Sequence, residues 1–314
     1  MMRAVRSLAG GLGVVLRAPM LVAAVVAVTL AAAIPFGVVL GARLQDGLAN
    51  QPPIALGSGE IDADWWAEFR AHAGGLAATF TPTVIGFAAP LDNLSAMLDG
   101  SRRPRALAGP VLLTGLIWAW LWGAILHRFN IGRSLSVREF FSAAFAHAPR
   151  FVLVSATAAL VQLALYFTVH AALFGPIYDA LASNTGSERT AFFVRVGLYL
   201  VFGSLLVLVS LAADYTRVGL VVTGPLAIRD AFATGVGFIR RHLGTVLALY
   251  LMTGMLFVGL LVLYGTGEIY GGSRVGGWRG VVIGQAYIVA RLVIRLTFAA
   301  SELLLFKSLR GQPS

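Results

Sequence analysis

The sequence predicts an all-α polytopic transmembrane bundle of about six spans, forming a single integral membrane domain over residues 1–314. Three observations lead there. Hydrophobic residues make up 58% of the chain and charged residues only 12%, about half the charged share of a soluble domain. Apolar stretches of about 20 residues recur along the chain, each long enough to cross roughly 30 Å of hydrocarbon at 1.5 Å per residue. The basic residues gather in short clusters beside those stretches, as a topology signal does.

The first stretch, Met20 to Gly41, exceeds the roughly 7–15 apolar residues of a secretory signal and reads as an uncleaved span. The outer loop that follows, residues 42–106, holds Asp62 to Phe69, where Trp65 and Trp66 beside Asp64 and Glu68 suit a helix at headgroup level. Leu76 to Leu91 contains three threonines and two prolines and reads as interfacial or re-entrant. The further spans are Leu107 to Leu126, Phe151 to Gly175, Ala191 to Ala213, Leu243 to Tyr264, and Val281 to Ala300 with an extension toward Phe306. Trp118, Trp120 and Trp122 read as an aromatic belt at the inner end of the second span.

Orientation follows from arginine. With the N-terminus cytoplasmic, inner segments carry Arg3, Arg6 and Arg17, then Arg128, Arg133, Arg138 and Arg150, then Arg217, Arg229, Arg240 and Arg241, then Lys307 and Arg310. Both termini are then cytoplasmic. The run Ser101 to Arg105 is discordant, since its arginines fall on the outer side. The net charge of +10 is dispersed instead of striped with aromatics, which argues against nucleic acid. Lys307 is the only lysine among 24 basic residues, a bias that points to GC-rich coding and a bacterial inner membrane. Absence of cysteine excludes disulfides and thiolate metal sites.

The segments before the first, third and fifth spans share an amphipathic pattern at 3.6-residue spacing. Val5, Leu12 and Leu16 oppose Arg3, Arg6, Ser7 and Arg17; Val137, Phe141, Ala144 and Ala148 oppose Arg138, Glu139 and Ser142; Ile228, Phe232, Gly235 and Ile239 oppose Arg229, Asp230, Thr234, Arg240 and Arg241. Val5-Arg6-Ser7, Val137-Arg138-Glu139 and Ile228-Arg229-Asp230 each precede a span by about 14 residues, which suggests a threefold repeat of amphipathic helix plus hairpin. Such helices would lie on anionic lipid headgroups at the cytoplasmic face, so the bilayer is the expected partner.

Ionisable residues inside the bilayer are costly and mark candidate sites. In the sixth span Tyr287, Arg291, Arg295 and Glu302 fall within about 80° of one another on a helical wheel. Asp214 and Arg217, near the inner end of the fourth span, reach a similar depth. The expectation is an ion-pair cluster of Asp214 and Glu302 with Arg217 and Arg295, and Arg291 deeper in the bundle. Gln162, Gln285, His170 and Arg195 read as helix-pairing or snorkelling residues.

No zinc-protease, phosphate-loop, nucleophile-elbow or dinucleotide motif is present, so neither a catalytic residue nor a cofactor is expected. Asp99-Gly100 matches only the opening of a CDP-alcohol phosphotransferase signature, without its downstream aspartates. The run Ala-Asp-Tyr-Thr-Arg-Val-Gly-Leu-Val-Val at 213–222, Ala-Ile-Arg-Asp-Ala-Phe at 227–232 and the basic Arg240-Arg241 before a span resemble uncharacterised six-span bacterial membrane families. Those families are similar to the membrane domain found beside some glycerophosphodiester phosphodiesterases. The resemblance implies a fold and not phosphodiester hydrolysis, because the spans occupy the chain. Missing enzyme motifs favour a non-enzymatic structural or envelope-associated membrane factor. The alternative is a transporter or permease for a small or anionic substrate, working through the charged face of the sixth span. A lipid-modifying enzyme in the membrane is a third class.

Overall fold

A computed structural model describes residues 1–48, 63–80, 88–101, 105–182, 186–224, 227–271 and 277–311, and these are helical with no strand among them. Helix α1 (Met2–Leu16) ends at Arg17, and Pro19 opens α2 (Pro19–Leu48), since a first-turn proline lacks only an N–H that would go unpaired anyway. Short helices α3 (Ala63–His72) and α4 (Ala88–Asp99) lie in the loop between α2 and the next long helix. Then come α5 (Ala108–Ile131) and α6 (Val137–Leu165), which continues through two π-turns over Tyr166–His170 and Leu173–Ile177 into α7 (Tyr178–Ala182). The chain closes with α8 (Glu188–Val222), α9 (Ile228–Gly271) and α10 (Gly277–Leu309).

Local chemistry sets several of these boundaries. Gly132, at φ 72°, ends α5 in the left-handed conformation that glycine adopts without a Cβ clash. Ser136 then opens α6 with a capping box: its Oγ accepts from the Glu139 N–H while the Glu139 carboxylate accepts from the Ser136 N–H. Arg133 closes over the same carboxylate at 2.7 Å. The Ser-x-x-Glu spacing carries this turn in the sequence. Helix α9 is two helices meeting at His242, whose φ of −128° and ψ of 25° break it where the amphipathic segment gives way to the span.

Five helical stretches among the described residues are long and apolar enough to cross a membrane: Pro19–Asp46, Arg105–Ile131, Val137–Ala182, Glu188–Val222 and Ile228–Tyr270. They contain the first five expected spans. The sixth falls in α10, which is not among the five and carries Arg291, Arg295 and Glu302. Yet α10 packs against α1, α2, α5, α8 and α9. Along α10, Leu296, Leu303, Leu305 and Phe306 are buried completely or nearly so and Glu302 is buried with them, while Arg291 and Arg295 stay exposed. In Leu76–Leu91 the described parts are a 3₁₀ turn at Ala77–Thr79 and the start of α4, with 81–87 outside the described residues. Residues 102–104 of the discordant basic run are also outside them.

Each segment that precedes an odd-numbered span docks at a small residue on the inner part of another helix. In α1, Ala4, Ser7, Gly11 and Val15 face α10, and a Cβ on Gly11 would meet Ser301 Oγ and come 2.8 Å from the Thr297 carbonyl. In α9, Gly235 is held so that a Cβ would be 2.9 Å from Thr216 N of α8. In α6, Ala144 is fully buried beside Gly123 of α5, where a Cβ would be 3.3 Å from the Ala144 carbonyl. Small residues allow this approach of backbones, as in membrane helix pairs generally. On the apolar side of α1 read from the sequence, Val5, Leu12 and Leu16 are exposed at 45%, 42% and 66%. Val137 and Phe141 of α6 are exposed too, whereas Ile239 of α9 is buried.

Candidate functional site: a polar cavity inside the helix bundle

Two cavities meet at the middle of α10. The inner one, about 300 Å³, is walled by Trp118 and Trp122 of α5, Ser155 of α6, Asp214 and Arg217 of α8, and Arg295 and Glu302 of α10. The outer one, about 460 Å³, is lined by Ser210 and Asp214 of α8, Tyr250, Thr253 and Phe257 of α9, and Arg291 and Arg295 of α10. Asp214, Arg295 and Phe298 belong to both and form the partition between them.

Arg217 reaches back three residues along α8 to Asp214, Nη1 donating to Oδ1 at 2.6 Å, while Nη2 donates to Ser155 Oγ at 2.9 Å. This tie binds α6 to α8. Ser155 is itself anchored to the Phe151 carbonyl one turn earlier. The side chains of Arg217 and Asp214 remain 14% and 30% accessible, although both stand inside the bundle, because the cavities reach them.

Arg295 takes a different partner from the one expected. Its guanidinium carbon stands 3.6 Å from the Trp118 ring centroid and 5.3 Å from that of Trp122, and it forms no ion pair with a carboxylate among the described residues. Asp214 and Glu302 therefore do not pair across to α10 and α8 as the sequence suggested. The reason is geometric: Arg217 stands one helical turn from Asp214 on the same face, and the indole faces supply Arg295 with a cation–π partner. The charges of Asp214, Arg217 and Arg295 nonetheless interact through space, as do those of Glu302, Asp214 and Arg217. Glu302 is only 3% accessible, and its Oε1 has no hydrogen-bond partner.

Arg291 stands over Phe257 at 5.5 Å and Tyr287 at 5.8 Å, and Tyr287 stacks on Tyr264 at 4.2 Å with the rings 11° apart. Of the six residues singled out in the sequence, Tyr287 and Glu302 are buried, Asp214 and Arg217 half-buried, and Arg291 and Arg295 exposed. The sequence reading missed Trp118 and Trp122 as site residues and assigned them to a belt; their i, i+4 spacing, which puts both on one helix face, was the available signal. Ser155, Tyr250 and Thr253 carried none, since single polar residues in spans are common.

The remaining polar residues serve packing. Gln162 donates to Ser210 Oγ at 3.4 Å, and Arg195 lies over the Tyr178 ring at 4.8 Å. His170 Nε2 is 3.0 Å from the Leu98 carbonyl and its ring packs on Phe174 and Phe202. Asp99 accepts from Tyr199 and from Ser95, and these bonds, Tyr199 first, hold its carboxyl below the usual range. Asp99-Gly100 is accordingly the point where the outer loop docks on α8, with Gly100 at φ 63° against His170. Compared with protein-family models, curated proteins and solved structures, the chain matches none.

Proposed function

We propose that this chain is a six-span bacterial inner-membrane protein, α10 being the sixth span and both termini cytoplasmic, that moves a small anionic solute through the two cavities along α10. The observation that carries this reading is the continuity of polar groups. From Tyr287 to Glu302 the polar face of α10 extends about 22 Å at 1.5 Å per residue, most of a roughly 30 Å core, and both cavities open on it. Arg291 and Arg295, unpaired with carboxylates among the described residues, supply the attraction for an anion. Asp214 and Arg217 form a neutral pair at the partition. Three repeated units, each a leading helix and a hairpin, would account for the recurrent small-residue docking on the inner ends of α5, α8 and α10.

The chain contains no cysteine, so single cysteines test the reading directly. Ser155→Cys lines the inner cavity and Thr253→Cys the outer one. Expected is modification of both in proteoliposomes by a membrane-impermeant charged thiol reagent, Thr253→Cys from outside and Ser155→Cys from inside, with slower modification in the presence of 10-fold graded phosphate or acetate. If both cysteines react only after denaturation, the cavities are closed to water and transport is excluded. That outcome would favour the second reading, a non-enzymatic structural membrane factor, for which the one specific observation is Arg295 already satisfied by Trp118.

A further inference from the structure

A third concavity lies apart from the two cavities along α10, at the C-terminal end of that helix. It encloses about 520 Å³ between the leading part of α9 and the end of α10, lined by Ala233, Thr234, Gly237, Phe238, Arg241, His242, Leu309 and Arg310. Its polar lining is two guanidinium groups, one imidazole and the Thr234 hydroxyl, with no carboxylate among the described residues. Arginines on this face are expected from topology alone, but the topology rule does not require them to converge on one hollow.

Three features make it a receptacle. First, it is built on a rigid floor. Tyr215 and Phe306 are fully buried and Phe238 nearly so; Phe238 stands 4.9 Å from Tyr215 and 4.7 Å from Phe306. From that floor Phe238 supports the His242 ring at 5.1 Å and Phe306 supports the Arg310 guanidinium at 5.0 Å, so two cationic or polar groups are pre-positioned at little entropic cost. Second, the break at His242 starts a new helix at the pocket, and the first N–H groups of a helix favour an anion. Third, the apolar span of α9 begins at the next residue, Leu243, which puts the pocket at headgroup depth.

We propose that this pocket binds a phosphate group, with Arg241 and Arg310 as its clamp and Thr234 and His242 as further hydrogen-bonding groups. Guanidinium groups match phosphate oxygens in bidentate geometry. The phosphate can come from an anionic phospholipid headgroup or from a soluble phosphate ester, and the two sources are told apart by experiment. The proposal does not depend on transport through the α10 cavities.

The test is the thermal midpoint of the full chain in mild detergent, titrated separately with phosphatidylglycerol, phosphatidylcholine and glycerol 3-phosphate. Phosphatidylglycerol is expected to raise the midpoint and phosphatidylcholine to leave it unchanged. The double variant Arg241→Gln/Arg310→Gln is expected to weaken apparent phosphatidylglycerol affinity on the order of tenfold or more, about 1.4 kcal/mol per decade. A control of equal charge loss outside the pocket and outside the leading helices, Arg189→Gln/Arg279→Gln, should keep wild-type affinity. Stabilisation by glycerol 3-phosphate that is lost in the same double variant identifies a soluble ester as the source. Failure of both phosphate compounds to stabilise the wild type, or equal losses in the two double variants, overturns the proposal. Native mass spectrometry of each variant checks that it is folded and counts bound lipid.

Discussion

Arg295 of α10 lies face-on over Trp118 of α5, its guanidinium carbon 3.6 Å from the ring centroid. A cation that stays accessible is thus held by an aromatic ring of one neighbouring helix, while Asp214 is engaged by Arg217 of its own helix. The arrangement leaves Arg295 positively charged toward both cavities.

This pairing predicts a measurable coupling. Trp118→Leu and Arg295→Met should each destabilise the protein, and the double variant should lose less than the sum, with a coupling of about 0.5–1 kcal/mol for an accessible cation–π contact. Thermal or denaturant midpoints in one detergent provide the four corners of the cycle. Strict additivity would show that the contact carries no energy.

The two carboxylates should respond in opposite directions to neutralisation. Asp214 accepts a 2.6 Å bond from Arg217, so Asp214→Asn leaves a partly buried guanidinium without its counter-charge and is expected to cost about 2–4 kcal/mol. Glu302 has an unpartnered Oε1 and is nearly inaccessible. Glu302→Gln keeps its volume and removes any charge to be buried, so its midpoint should equal or exceed that of the wild type. The comparison is made by thermal unfolding at pH 7; a larger loss in Glu302→Gln than in Asp214→Asn would contradict the described geometry.

Close helix approach should make two glycines intolerant. A methyl group at Gly235 would stand 2.9 Å from backbone N of Thr216, and at Gly11 it would meet Ser301 and the Thr297 carbonyl. Gly235→Ala and Gly11→Ala should each lower stability by about 1–3 kcal/mol through overpacking. Gly13→Ala, in the same helix as Gly11 with open space around it, should be neutral or stabilising. Expression yield and thermal midpoint together check the order.

Docking of the outer loop should depend on pH. The Asp99 carboxyl, bonded by Tyr199 and Ser95, titrates below its ordinary value of 3.8. A carboxylate with a depressed folded-state value stabilises the fold above its unfolded value, and that contribution is lost as pH falls through the folded one. Tyr199→Phe should therefore lower the midpoint at pH 7, with the difference from wild type shrinking as pH drops below 3.8. A difference that is constant from pH 7 to pH 3 would remove Asp99 from the account.

Much of the fold could be read from the amino acids because hydropathy is a local property. Runs such as Met20 to Gly41 and Leu243 to Tyr264 contain enough apolar residues to require helices of spanning length, whatever surrounds them. The polar face of α10 was likewise visible, since Tyr287, Arg291, Arg295 and Glu302 share one side of any regular helix. Rotation of α1 was not visible: its wheel shows an apolar side at Val5, Leu12 and Leu16, yet Ala4, Ser7 and Gly11 turn inward, because backbone proximity rewards small residues that hydropathy ignores.

The sequence by itself therefore determined the all-helical class, five stretches long and apolar enough to cross a membrane, and the set of charged residues on the polar face of α10. Only tertiary structure decided that α10 is the central helix, that Arg295 rests on Trp118 instead of a carboxylate, and that Arg241 and Arg310 converge on one hollow. The physical reason is that burial of a charge can be satisfied by an opposite charge, an aromatic face or a water-filled cavity. Composition states the cost, while the choice among those partners depends on which helices stand side by side.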